Sequence, residues 1–300
     1  MKINNLGAHL ALLCVSIIYG ANYTIAKEIV SGEYMQPMAL VFFRIISALL
    51  LFLFIHVFFV KEKVDRKDLF ILAACAFFGV VINQSFFITG LKYTSPINAS
   101  VLMVTSPLLV LLISFILKVE HLTMRKLLGV ILGASGTLFL IFGKGDLDFS
   151  GTLKGNIFIL INAFSYALYL VLVKPLMKKY NPLTIVKWIF IFAAIPIIPF
   201  SWKEVISTDW QNFTPAIWIS FFYVLIFVTF FSYLLNASAL KKVKPSTVGI
   251  YIYLQPVIAS LVALSLGRDE LSLIKIISGI IIIYGVYLVS TQKSINFLKK

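Results

Sequence analysis

The amino-acid sequence predicts an all-α integral membrane protein whose ten transmembrane helices form two inverted five-helix repeats. Three observations carry that expectation. The 300 residues are 60% hydrophobic and 13% charged, with a mean hydropathy of +0.99, more apolar surface than a water-soluble domain can hide. Ten apolar runs of spanning length are separated by short charged or turn-rich gaps. Finally, Leu91, Lys92, Pro96, Pro107, Leu112, Leu117, Leu122, Lys126 and Gly136 recur, at a constant offset of 149, as Leu240, Lys241, Pro245, Pro256, Leu261, Leu266, Leu271, Lys275 and Gly285. The chain is therefore doubled. Each half crosses the membrane an odd number of times, so the second half lies inverted relative to the first, an architecture of carriers.

The runs cover 7–29, 36–60, 68–91, 95–117, 125–143, 153–177, 183–201, 214–240, 245–267 and 272–292. At ~20 residues per crossing they use about two-thirds of the chain, which leaves two domains, 1–148 and 149–300, each a five-helix repeat. The runs are continuously apolar rather than alternating, which excludes a β-barrel. Span 1 follows Lys2 and could pass for a signal peptide. It is too long for one, and its segment 19–27 is echoed by 166–174 at an offset of 147, so it belongs to the fold.

Polar residues within the runs fall at helical spacing. Span 1 carries Ser16, Tyr19, Asn22 and Tyr23; its mate, span 6, carries Asn162, Ser165, Tyr166 and Tyr169. Span 2 opens at Pro37 and carries Arg44, about 12 Å into a ~30 Å core. A guanidinium at that depth costs at least ~2.5 kcal/mol on insertion scales and needs a partner. Two readings stay open for it: a site for an anion or substrate carboxylate, and a structural arginine bonded to helix carbonyls. With Pro37 and Pro182 in register, its mate in span 7 is Ile189, so this charge breaks the symmetry. Span 3 contributes Asn83, Gln84 and Thr89, and span 8 contributes Thr229, Ser232, Tyr233 and Asn236. Span 4 has Asn98 and Thr105; span 9 has Thr247, Tyr251 and Gln255. Such stripes face protein or water rather than lipid.

Pro96 and Pro245 open spans 4 and 9, where proline fits the first helical turn. Pro107 and Pro256 lie near their middles and free the carbonyls of Met103 and Ile252, which need a Ser/Thr, water or substrate partner. Spans 5 and 10 offer small residues, Gly129, Gly133 and Gly136 in one, Ser278, Gly279 and Gly285 in the other, and read as packing helices. Cys14 and Cys75 fall inside spans as small core hydrophobes with no disulfide expected.

The net charge is +14, but its placement argues against nucleic acid. Lys and Arg number 17 on the side of the N-terminus and 7 on the other, so both termini are expected in the cytoplasm. All twelve acidic residues lie at span ends or in loops, so no carboxylate stands at mid-depth as a proton carrier. Glu120 and Asp269 precede Thr123 and Ser272, expected N-caps of spans 5 and 10, and read as loop-fixing groups. Lys27 and Lys187, nearer span ends, can snorkel. His9, His56 and His121 sit at span ends or in a loop.

No Asp-rich diphosphate motif, His-Glu metal pair, Ser-His-Asp set or Gly-Lys-Ser/Thr phosphate loop is present, so neither a cofactor nor a metal is expected. A carrier is favoured over a channel because inverted halves with bent, polar fourth helices imply a central site exposed alternately to two sides. The alternatives are a membrane-embedded enzyme acting on a lipid or isoprenoid, or a carrier of sugars, nucleosides or cationic drugs. Expected substrate contacts are Tyr19, Asn22, Tyr23, Arg44, Asn83, Gln84, Asn98, Tyr166, Tyr169, Tyr251 and Gln255. Expected partners are a small-molecule substrate and the lipid bilayer, with the chain a monomer or homodimer.

The stretch Tyr19, Gly20, Ala21, Asn22 followed by Lys27, the opening from Pro37 to Arg44, and the Pro96, Pro107, Glu120, His121, Leu122, Thr123 and Gly-rich span 5 pattern with its second copy resemble the EamA-type transporters of the drug/metabolite transporter superfamily. The resemblance covers essentially the whole chain. It implies a basket in which spans 1–4 and 6–9 surround a central cavity with spans 5 and 10 outside. It also implies export or exchange of small metabolites, amino acids among them, across a bacterial inner membrane. Tyr23 stands where Phe is common in that family and Tyr19 where Trp is frequent, which keeps aromatic walls and adds hydroxyls.

Overall fold

The computed structural model describes residues 5–31, 34–142, 152–265 and 272–291. The expected domain boundary at 148/149 and Asp269 lie outside them. Among the described residues nine helices are long and apolar enough to cross a membrane, and the segmented helix α9 (245–265) completes a ten-helix pattern: α1 (Leu6–Ser31), α2 (Pro37–Phe59), α3 (Arg66–Tyr93), α4 (Pro96–Ile116), α5 (Met124–Phe142), α6 (Leu153–Lys179), α7 (Pro182–Ile206), α8 (Pro215–Lys242), α9 and α10 (Leu273–Ser290). Five of them begin with proline, at Pro37, Pro96, Pro182, Pro215 and Pro245. There the missing N–H is one that no helix would satisfy. Ser95, Thr152, Asn181, Thr214 and Ser272 cap helix N-termini by accepting a backbone N–H two or three residues on.

Polarity is inside out relative to a soluble protein. Ser16, Asn22, Arg44, Gln84, Asn162, Thr229, Ser232 and Asn236 are buried, whereas Phe59, Phe70 and Phe200 are exposed, as a surface solvated by lipid requires.

The packing is reciprocal between halves. The first helix of each half packs on the third and fourth helices of the other: α1 lies against α8 and α9, and α6 lies against α3 and α4. The second helices, α2 and α7, pack on each other, as do the fifth, α5 and α10. This is the contact pattern of a pseudo-two-fold axis, on which a residue meets its own mate. Two such meetings are seen among the described residues. Gln84 Nε2 donates to Tyr233 Oη at 3.2 Å, and Tyr253 Oη donates to the Val104 carbonyl at 3.0 Å; both pairs are 149 apart in sequence, the offset of the repeat. At the α5–α10 contact a Cβ on Gly285 would sit 2.6 Å from the Gly129 carbonyl oxygen, so only glycine permits that approach.

Loop carboxylates and lysines repeat the same reciprocity. Glu204, at the end of α7, accepts the N–H of Met38 in the first turn of α2 at 2.8 Å, and Glu62, beyond the end of α2, accepts the N–H of Asn181 at the start of α7 at 2.9 Å. Lys27 Nζ donates to the Leu91 and Lys92 carbonyls at the end of α3, at 2.7 and 3.2 Å. Its mate Lys174 does the same at the end of α8, to Leu240 and Val243 at 2.5 and 2.6 Å. A cation is favourable at a helix C-terminus. Lys27 is therefore a helix cap rather than a side chain reaching for the lipid headgroups. Glu120 also departs from expectation. It takes the N–H and hydroxyl of Ser246 at 2.8 and 2.6 Å and pairs with Lys126, so it caps the first turn of α9 in the other half as well as bracing α5. Thr123 does cap α5.

Among the described residues four helices change helical type or break, in repeat-related pairs. The chain has a π-helical stretch at Phe77–Ile82 in α3 and another at Val224–Phe231 in α8; an extra residue in the turn marks functional sites in many helices. α4 breaks at Val104 between two α segments, and α9 passes through a single 3₁₀ turn, Tyr251–Tyr253. Both breaks lie within the turn preceding the mid-helix prolines, where the ladder loses a donor. Hydroxyls reach carbonyls at these breaks: Tyr253 donates to Val104 and Ser16 to Tyr251 at 3.0 Å.

Candidate functional site

Beside the Gln84–Tyr233 contact lies a cavity of about 80 Å³, several times the room one water needs. Its walls come from seven helices. α1 supplies Leu12, Val15, Ser16, Tyr19, Asn22 and Tyr23; α6 supplies Asn162, Tyr166 and Tyr169. Tyr19 and Tyr166 are repeat mates, and each stands at the middle of its helix, so the cavity is at mid-membrane. α2 adds Arg44, α3 adds Asn83 and Phe87, and α4 adds Met103. α8 contributes Val228, Tyr233 and Asn236, and α9 contributes Val248, Tyr251, Ile252 and Gln255. The described residues of α5, α7 and α10 give it nothing, so α7 serves as a brace behind α2 rather than as a wall. A second cavity of about 270 Å³ lies between α1, α4, α5 and α9 and shares Tyr23, Ile252 and Gln255 with the first.

Arg44 is 4% exposed. Its Nε donates to Thr229 Oγ1 at 2.9 Å, and Thr229 in turn donates to the Val224 carbonyl five residues back, at 2.9 Å. The π stretch of α8 thus places the hydroxyl that holds the guanidinium plane. Arg44 Nη1 has no partner, and neither do Asn22 Oδ1 or Asn162 Oδ1. For Asn162 the amide orientation is set, because Nδ2 donates to the Asn83 carbonyl at 2.7 Å. Among the described residues no acidic side chain pairs with Arg44, and the lining contains no Asp or Glu. Buried polar groups left open in this way cost free energy unless a ligand or water satisfies them.

Aromatic rings shape the rest. Tyr23 meets Phe87 edge-on with ring centroids 5.5 Å apart, and Tyr166 and Tyr169 are 6.4 Å apart. Tyr233 Oη donates to the Gly79 carbonyl in the π stretch of α3 at 2.7 Å. Gly79 faces the Tyr169 ring so closely that a Cβ would lie 2.4 Å from it. His9 Nδ1 and Tyr251 Oη are 2.8 Å apart just beyond the cavity.

Of the residues expected to contact substrate, Tyr19, Asn22, Tyr23, Arg44, Asn83, Tyr166, Tyr169, Tyr251 and Gln255 line this one cavity. Gln84 stands behind it, bonded to Tyr233. Asn98 is elsewhere, at the start of α4, where it bonds Thr94 and Asn156 at 3.1 and 2.9 Å and holds α4 to α6. Ser16, Asn162, Tyr233 and Asn236 line the cavity without being among the expected contacts, although all four sit on the polar stripes. Stripe membership is the signal that finds them.

The two halves match the model of the EamA-like transporter family at residues 6–142 and 153–291. An uncharacterized transporter of Archaeoglobus fulgidus is 30% identical over 293 residues, covering 96% of this chain and 99% of that one. The uncharacterized transporter YyaM of Bacillus subtilis is 25% identical, covering 94% of this chain and 93% of its own length. A solved crystal structure superposes with a TM-score of 0.70 over 94% of this chain and 96% of that one, at 17% identity, a likeness of fold. The chain is a multi-pass membrane protein and belongs to the EamA-like transporter family of the drug/metabolite transporter superfamily.

Proposed function

We propose that the protein is a carrier, not an enzyme, that moves a small metabolite, an amino acid or similar, by alternating access, as export or exchange. The observation that supports this most is the mid-membrane cavity between the two halves with three unpartnered buried polar atoms in its lining. Two inverted halves of nearly equal packing can exchange their conformations, which opens such a site first to one side and then to the other. The substrate rests against Tyr19, Asn22, Tyr23, Asn83, Tyr166, Tyr169, Tyr251 and Gln255, with Arg44 meeting its most negative part; Gln84 acts through Tyr233, and Asn98 fixes α4. The bent fourth helices and the paired π stretches are where the halves can change shape at little cost in hydrogen bonds. The carrier lies in the inner membrane with both termini cytoplasmic, as the 17 to 7 distribution of Lys and Arg favours.

Counterflow in proteoliposomes, with a library of amino acids, sugars and nucleosides offered outside, tests the carrier reading. Exchange of at least one small metabolite is expected. Membranes that exchange none of them, while the reconstituted protein is folded, contradict it. For orientation, a membrane-impermeant thiol reagent applied to intact cells should label a single cysteine placed at position 207 and spare one at position 63, in a background lacking Cys14 and Cys75. The reverse pattern inverts the topology.

A further inference from the structure

We infer that the central cavity selects a small carboxylate that also carries a hydrogen-bond donor, with the carboxylate on Arg44 Nη1 and the donor on Asn162 Oδ1; this rests on the carrier reading above. Each of the two atoms has a fixed hydrogen-bonding role. Arg44 is pinned by Nε to Thr229, so Nη1 is a fixed, charged donor with nothing to donate to. Asn162 is pinned by Nδ2 to the Asn83 carbonyl, so Oδ1 is a fixed acceptor with nothing to accept. Both residues are more than nine-tenths buried, and both line the same cavity.

Charge then decides the class. Arg44 is the one Lys, Arg, Asp or Glu among the described lining residues, so the empty site is positive in a medium where charges are poorly screened. A cation adds repulsion to that site, and a neutral sugar leaves the guanidinium uncompensated. A carboxylate removes the mismatch and forms a charge-assisted hydrogen bond. A lone carboxylate would still leave Asn162 Oδ1 unmet, whereas an ammonium or hydroxyl on the same molecule satisfies it. The lining also holds Tyr19, Tyr23, Tyr166 and Tyr169, and aromatic rings favour a cation.

Matched probes separate these classes. We would measure binding to the purified full-length protein, by calorimetry and ligand-induced shift of unfolding temperature, for alanine, leucine and phenylalanine. Each is compared with its amide, which lacks the carboxylate, and with its deamino acid, which lacks the ammonium. The best amino acid should bind about tenfold or more tightly than its amide and than its deamino acid, the loss expected for one charged hydrogen bond. Asn162→Asp adds a negative charge at the acceptor position and should raise the affinity for the amides relative to the acids, a reversal that simple misfolding cannot produce. Amides that bind as well as the acids, or a preference for the acids that Asn162→Asp leaves unchanged, overturn the assignment. Exchange of glucose or tetraethylammonium with no binding of any carboxylate overturns it while leaving the carrier reading intact, and a protein that exchanges nothing at all defeats both.

Discussion

Lys27 and Lys174 do the same work in the two halves, each closing the carbonyls at the end of a third helix, whereas Arg44 and Ile189, which hold matching places on α2 and α7, do not. Arg44 faces the cavity with one nitrogen open; Ile189 is fully buried among apolar neighbours. The same division recurs. Glu62 and Glu204 cap reciprocally, but Gly79 corresponds to Val228, Asn22 to Tyr169 and Thr229 to Val80. Features that hold backbone are shared by both halves, because an inverted repeat must solve the same helix-end problem twice. Most features that line the cavity differ, the Tyr19 and Tyr166 pair excepted, because a small ligand has no two-fold symmetry. Broken symmetry is thus concentrated in and directly around the site, at Arg44, Asn22 and Val228 in the lining and at Gly79 and Thr229 behind it.

Making the halves alike where they differ should do the most damage. Ile189→Arg restores symmetry with Arg44 but places a guanidinium in the α2–α7 interface with no partner, at a cost of at least ~2.5 kcal/mol. Little folded protein should elute as a single species on size exclusion. Recovery of normal amounts would show that α7 has a water-filled face at Ile189.

Gly79→Val copies the Val228 of the second half. It drives a side chain into the Tyr169 ring, so unfolding in detergent should come earlier by the ~1–3 kcal/mol typical of overpacking. Val228→Ala, on the opposite side of the comparison, should be milder and enlarge the cavity. A larger effect from Val228→Ala than from Gly79→Val would show that the approach of Gly79 to the Tyr169 ring is not a tight packing constraint.

Lys27→Met and Lys174→Met remove equivalent caps. Each should lower stability by about 1 kcal/mol, by similar amounts, with exchange per folded molecule unchanged. Unequal losses would mean that the repeat is less symmetric in energy than in geometry. Smallest of all is the expected effect of collapsing the pH gradient. Because no acidic residue among the described ones lines the cavity, downhill exchange should continue in the presence of a protonophore, and its complete loss would reveal an obligatory proton step.

Much of this architecture is legible in the sequence. Ten apolar runs, the 149-residue offset and the proline pairs point to the helices and their inversion, because lipid forces continuous apolar spans and proline acts locally. Nine of the eleven expected contacts share one cavity, since a polar stripe inside a bilayer has few places to face. Asn98 misleads because a polar side chain one turn from a helix start can serve a loop, and linear spacing does not show depth. The π stretches leave no local pattern: Phe77–Ile82 reads as ordinary apolar helix, while Tyr169 and Tyr233, which close on Gly79 within it, are far away in the chain. From sequence Glu120 serves its own loop, since nothing in the order of residues shows that Ser246 lies beside it.

The claim that broken symmetry marks the binding site is tested most directly by measuring exchange and thermal stability together for Arg44→Gln and Arg44→Lys. Both variants should reach the membrane folded, with unfolding temperatures near that of the unaltered protein, and both should exchange poorly whichever metabolite the unaltered protein exchanges, Gln worse than Lys because it loses the charge as well as the planar fork. If Arg44→Gln instead folds in low yield or melts early while the surviving protein exchanges normally, Arg44 is scaffold, and the reading of the cavity as its binding site is wrong.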